Sequence, residues 1–229
     1  PRSRTQAPDV PDLTLVVVLL GLLPFALLAT TSFAKLSIVF GLLRNALGPS
    51  DVPPGSVVLV LAALLTGYVM LPVARDVASA AAPALTRVSP DAPWSWKGES
   101  AKALTTALSA GAEPLRGFLD RNSGAAERGT FLSLLRQRTP ETEQAQLSEH
   151  DFAVVLPAFF VTELKEALQL GFLLLLPFFV LDLVIASLLS ALGMYGLPAA
   201  GVALPFKLLL FVSVHGFRPL VAAPAPGYR

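Results

Sequence analysis

Long apolar runs separated by short charged intervals dominate the chain, and their lengths are those of membrane-crossing helices. From Leu13 to Ala34 no charged residue occurs over 22 positions, about 33 Å of α-helix and close to one hydrocarbon thickness. Lys35 and Arg44 punctuate the end of this stretch, and Gly48-Pro49-Ser50-Asp51-Val52-Pro53-Pro54-Gly55 supplies the breakers and cap residues of a turn. A second uncharged run, Val57 to Ala74, has 18 positions, the lower edge for a span. From Arg75 to Asp151 the pattern changes to mixed charge with Pro, Gly, Ser and both tryptophans. This insert predicts short helices over Glu99 to Ala112 and Gly129 to Gln137, with a break at Arg138-Thr139-Pro140-Glu141. Apolar runs return from Ala167 to Leu181 and from Leu183 to Phe206, with Asp182 between them, Pro177 inside, and a turn at Gly193 to Gly201. A last helix, about Ala203 to Val214, contains Lys207 and stops at His215-Gly216-Phe217-Arg218-Pro219, ahead of a weakly ordered Ala/Pro-rich tail.

The pattern predicts an all-α chain of hydrophobic helical hairpins around a partly helical insert. Its segments are a polar head (1–12), a first hydrophobic helical pair (13–74), an extramembrane insert (75–151), a second hydrophobic hairpin (152–217) and a flexible tail (218–229). Arg2 and Arg4 ahead of the first run raise the reading of a signal peptide, but Leu13 to Ala34 is long for a signal core and is read as retained. Lys35 and Arg44, with no acid until Asp51, put the first connection in the cytoplasm and the insert in the periplasm.

Composition narrows the function classes. With 54% hydrophobic and 14% charged residues the chain is too apolar for an ordinary soluble domain. A net charge of +1 leaves no electrostatic footprint for nucleic acid. Absence of cysteine excludes disulfides and thiolate chemistry, and His150 and His215 are too far apart to suggest a metal cluster. No phosphate loop, nucleophile elbow or H-E-x-x-H motif occurs, so the sequence points to no enzyme, cofactor or metal. The acids of the insert are interleaved with Lys and Arg and read as a solvated face.

Charges inside the apolar runs carry more information. Asp182 and Lys207 would each cost roughly 2.5–3.5 kcal/mol unpaired at a bilayer centre. A hairpin turning about Met194-Tyr195 brings them to the same depth, where an ion pair is available; contact with a neighbouring subunit or water is the other reading. In Glu163-Leu164-Lys165-Glu166, Pro157 just upstream suits the first turn of a helix, so Glu163 is expected near the positive end of the dipole. Lys165 is disfavoured there and is expected to have a specific partner, taken as a subunit contact. Arg44 reads as a helix C-terminal residue, with Gly48 available for left-handed geometry. Met194 and Tyr195, between glycines at the hairpin tip, are read either as interface anchors or as residues that plug a hole.

Leu23-Pro24-Phe25, Thr30-Thr31-Ser32-Phe33, Leu42-Leu43-Arg44-Asn45-Ala46-Leu47-Gly48 and Val52-Pro53-Pro54 together resemble the amino-terminal signature of the FliP/YscR/SctR family. Pro157-Ala158-Phe159, Thr162-Glu163-Leu164-Lys165, Gly171-Phe172, Leu176-Pro177-Phe178, Leu181-Asp182-Leu183-Val184, Gly193-Met194 and Leu204-Pro205-Phe206-Lys207 resemble its carboxy-terminal pattern in order and spacing. The resemblance implies a core subunit of the export gate of a bacterial type III secretion system. It implies a pentamer forming a helical ring, joined by a small two-helix subunit and one larger relative, with exported proteins in transit. The location implied is the inner membrane, with the gate raised toward the periplasm. The family's methionine-rich gasket turn aligns with Met194, Tyr195 and Gly196, where only Met194 is retained. Asp182, Lys207, Glu163, Lys165 and Arg44 fall on family-typical charged positions. His215 and Phe217 depart from the family, which often has an acid and a Trp there. The wording Thr31-Ser32-Phe33-Ala34-Lys35-Leu36-Ser37 is closer to injectisome than to flagellar members. A secondary transporter using Asp182 and Lys207 for ion coupling, and a purely structural scaffold, are the alternatives.

Overall fold

A computed structural model describes residues 10–48, 53–86 and 99–213. The polar head up to Asp9, the turn at 49–52, both tryptophans, His215, Phe217 and the tail lie outside them. The described residues form eight helices and no strand: α1 (Val10–Thr30), α2 (Phe33–Leu47), α3 (Gly55–Leu85), α4 (Glu99–Arg121), α5 (Ala125–Arg138), α6 (Glu141–Gln144), α7 (Phe152–Ala191) and α8 (Ala199–Ser213). The all-α expectation holds.

The first apolar run is two helices rather than one. Pro24–Thr30 meets α2 at a bend of 84°. The hydroxyls of Thr30 and Thr31 donate back to the carbonyls of Ala26 and Leu27 at 2.7 and 2.6 Å, competing with the helical ladder just where it breaks. Hydropathy runs straight through such a bend because it counts side chains, not backbone direction. The second run is longer than expected: α3 continues past Arg75 and Asp76 to Leu85, since a charge ends an apolar run but not a helix.

The third run is longer still. α7 is one helix of 40 residues, about 60 Å and twice a hydrocarbon thickness. Pro157 falls inside its second turn rather than its first, and Glu163 lies twelve positions in, well beyond the dipole of the amino terminus. α7 ends in a Schellman motif: Gly193 takes φ 75°, its N–H donates to Ser190 O at 3.0 Å, and Met194 N–H donates to Leu189 O at 2.9 Å. α8 then starts at Ala199, directly after Pro198. Within the insert, α4 runs through Gly111 to Arg121, beyond the expected Ala112. Gly111 is a packing position there, since a Cβ would come within 3.2 Å of Val77 Cγ1. α5 starts four residues ahead of its expected bound, and the break at Arg138–Glu141 falls as predicted.

Two apolar clusters hold these helices together. In one, α2 is sandwiched between α3 and α7, with Leu36, Phe40, Leu43 and Leu47 packed among Ala62, Ala167 and Phe178. In the other, α4 joins α3 to α7 through Val73, Phe118, Leu119, Val155 and Phe159, the Phe118 and Phe159 rings lying 5.7 Å apart and tilted. The insert is therefore folded back against the lower parts of the same long helices. Gly124, the N-cap of α5, is held by Thr162 of α7, whose hydroxyl accepts the Gly124 N–H at 2.9 Å.

The approach of α2 to α7 is closest at Gly171, where a Cβ would stand 2.2 Å from Leu42 Cδ1 and 3.4 Å from Leu42 Cβ. Gly171→Ala is expected to lower stability by about 1–3 kcal/mol, and adding Leu42→Ala to restore part of the loss. Thermal unfolding of the detergent-purified chain checks both, and a double variant no better than Gly171→Ala refutes the contact.

Candidate functional site

The charged residues of the apolar runs converge on α2. Lys35, near its start, is 2% exposed, and its Nζ lies 2.9 Å from Glu163 Oε1 and 2.7 Å from Glu166 Oε2. Glu163 is equally buried, whereas Glu166 is half exposed. A charge removed from water costs several kcal/mol unless it is met at this range by an opposite charge and hydrogen bonds. The pair therefore fixes α2 against α7 in position as well as in height. The expectation that Glu163 serves the first turn of its helix is corrected: it serves a lysine 128 positions earlier in the chain.

Toward the other end of α2, Lys207 of α8 is also buried, and its Nζ donates to Asp182 Oδ2 and to the carbonyl of Ala46, both at 2.7 Å. One ammonium thus ties α8 to α7 and to the open carboxyl end of α2, where carbonyls lack helical partners. The other carboxylate oxygen, Asp182 Oδ1, is enclosed and has no hydrogen-bond partner. Arg44 lies in the last turn of α2, and its Nε donates to Pro53 O at 3.1 Å, bracing the start of α3. Gly48 caps α2 at φ 126°.

Lys165 points away from this core. Its Nζ lies 3.0 Å from Glu127 Oε1 of α5, so it has a partner within its own chain. The Glu127 carboxyl is held below the usual carboxylate range, first by the hydrogen bond from Lys165 and then by its own backbone. Met194 and Tyr195 stand at the hairpin tip, both exposed, Tyr195 to 81%. The structure does not bring them near Asp182, Lys207, Glu163 or Arg44.

Between the hairpin and the end of α2 opens a cavity of about 770 Å³, lined by Phe172, Leu176, Phe179, Asp182, Lys207 and the Asn45–Gly48 end of α2. Its walls are apolar apart from the ion pair and Asn45. Sequence reasoning left out Lys35 and Glu166 as members of the site. Lys35 follows the apolar run and precedes Leu36 and Ile38–Phe40, so the argument applied to Asp182 and Lys207, that a charge among apolar residues needs a partner, would have found it. Glu166 is one helical turn from Glu163 on the same face.

A model of the FliP family matches residues 16–223. A pathogenicity-related protein of Xanthomonas campestris pv. glycines is 40% identical over 98% of this chain and all of its own length. The hypersensitivity response secretion protein HrcR of Ralstonia nicotianae is 38% identical over 95% of this chain and 97% of its own. The flagellar biosynthetic protein FliP of Pectobacterium carotovorum is 40% identical over 91% of this chain and 75% of its own.

Lys35→Met leaves Glu163 buried without its cation, and a loss of about 3–5 kcal/mol is expected. Lys35→Met with Glu163→Leu is expected to recover much of it; a double variant as unstable as the single one in thermal unfolding excludes the pair as the fastener. At Glu127 the sign runs the other way from a lysine or histidine. A depressed folded-state pKa contributes stability above the ordinary carboxylate range, near pH 4.3, that fades as pH falls through the folded value. Glu127→Gln is therefore expected to flatten the acid limb of the melting temperature against pH, and an unchanged limb counts against the contact.

Proposed function

The chain belongs to the FliP family, and on that premise we propose that it is a core, pore-forming subunit of the export gate of a type III secretion system of the injectisome kind. In this reading it sits in the bacterial inner membrane with the gate raised toward the periplasm. Copies of the chain form the ring, as a pentamer, with a small two-helix subunit and a larger relative. Unfolded proteins pass along its axis, energised by other components, and the subunit itself performs no catalysis.

The observation that carries the reading is the contrast between charges and apolar surface in the same helices. Lys35 and Lys207 are each met by carboxylates inside the chain, while Phe172, Leu173, Phe179, Leu183, Leu209 and Val212 face outward. α3 and α7 are each long and apolar enough to cross a membrane, but little of either apolar window is covered by the chain itself. Such a subunit is incomplete until siblings or lipid cover it. The injectisome assignment is supported by the relatives named for pathogenicity and for hypersensitivity response secretion, and by the Thr31–Ser37 wording. That Lys207 is held at once by Asp182 and by a backbone carbonyl supports a strut over an ion-coupling group.

At the tip, Met194 and Tyr195 are the residues that close the axis, the tyrosine supplying bulk where the family has more methionine. With the secretion system assembled around it, Met194→Ala with Tyr195→Ala is expected to raise small-solute leakage at least several-fold over the parent. Parental leakage in that variant removes the tip from the gate. A purified particle of one copy in mild detergent removes the ring.

A further inference from the structure

α3 and α8 each pack against α2, and between them runs a crevice of about 200 Å³ that shares no lining residue with the cavity beside Lys207. Its floor is the buried face of α2, with Phe40, Leu43 and Leu47; Leu61 of α3 and Phe211 of α8 form its sides. Leu208, 40% exposed, stands at its outer edge. Walls of this kind take an apolar occupant rather than water: a space of about 150 Å³ lined by Leu, Ile and Phe binds benzene.

The end of the crevice where α3 begins narrows the choice of apolar molecule. Among the described residues that line it, Arg44 is the one that carries a charge. Its guanidinium lies along the first residue of α3, since a Cβ on Gly55 would stand 3.6 Å from Arg44 Nη1 and 3.9 Å from Cζ. The amino end of a helix is itself partly positive, and α3 has neither a side-chain cap nor an acid in its first turn. An anion placed between the two is favoured by both. α3 is long and apolar enough to cross a membrane, and its uncharged run begins at Val57. In a bilayer this sets Arg44 and Gly55 at the depth of the head groups, with the crevice running into the hydrocarbon.

We propose that the crevice is a lipid site. One acyl chain of an anionic phospholipid lies on the α2 floor between α3 and α8, and its phosphate is held by the Arg44 guanidinium at the amino end of α3. A zwitterionic lipid is disfavoured because its ammonium returns positive charge to an end that already carries two positive groups. The site lies within one chain and does not depend on how copies assemble. Its occupant joins α8 to α3, and so steadies the hairpin tip from which α8 starts.

The full chain, purified in a neutral detergent, is titrated with dioleoyl phosphatidylglycerol, with dioleoyl phosphatidylcholine and with inorganic phosphate while its thermal unfolding is followed. Phosphatidylglycerol is expected to raise the midpoint at about tenfold lower concentration than phosphatidylcholine, the difference carried by one charge-assisted contact, and phosphate alone to have no effect. Arg44→Gln is expected to bring the two lipids level. Leu208→Trp plugs the crevice from its half-exposed edge and is expected to lose the response to both. It leaves Arg44 and the buried floor intact, so the test stands where Arg44→Gln fails to fold. No preference between the lipids in the parent, a preference that survives Arg44→Gln, or a parental response in Leu208→Trp overturns the inference. A shift reproduced by inorganic phosphate overturns it too, since the acyl chain then has no part. The readout is the same for one copy as for many, so each of these failures leaves the ring reading standing.

Discussion

An ammonium group buried among leucines and phenylalanines has to be met within hydrogen-bonding distance, and the placement of the long helices follows from how Lys35 meets that requirement. Its two carboxylates both come from one face of α7, so α2 has one register against that helix in which the charge is answered. Once α2 is set, the remaining contacts follow along it. Its far end offers the Ala46 carbonyl to Lys207, which draws in α8, and its Arg44 braces the first residues of α3. The apolar clusters supply most of the attraction, but apolar surfaces slide over one another at low cost. The ion pairs choose among positions that the hydrophobic effect alone would treat as nearly equal.

Much of this was legible in the sequence where a rule of distance or cost applied. The Asp182 and Lys207 positions, equally far from the hairpin tip, lie opposite each other because an antiparallel hairpin makes chain distance into height. The break before α6 was legible because proline and threonine stop helices for reasons local to the backbone. The 84° bend at Thr31–Ser32 was not legible, since hydropathy carries no direction. Nor was the length of α7: Asp151 caps a helix that begins in the polar insert, so the change of composition and the helix boundary are different events. The role of Glu163 was misplaced for the same reason. Glu166 and Thr162 belong to contacts set by tertiary packing, and nothing in their local spacing identifies Lys35 or Gly124 as the partner.

The family motifs and the physics divide the work between them. Ordered motifs such as Pro157-Ala158-Phe159 and Leu204-Pro205-Phe206-Lys207 identify the family. They do so through residues that the structure shows to be packing or charge-answering positions: Ala158 and Phe159 are fully buried, and Lys207 nearly so. The hairpin tip is different, with its side chains exposed and its backbone fixed by the glycine-dependent turn at Gly193. Position there is set by the backbone, which leaves the side chains at 194 and 195 free to differ among relatives without disturbing the fold.

α7 also has a mechanical character. Its first half packs against α2, α4 and α5, and its second half against α2 and α8. A helix held along one half acts as a lever: over the roughly 33 Å from Leu170 to Ala191, a tilt of about 5° at the grip carries the tip about 3 Å sideways. A displacement of that size is comparable to the radius of a side chain. Small adjustments in the polar insert are thereby magnified into displacement of the hairpin tip at Met194, so the stiffness of the insert sets how steadily that tip is held.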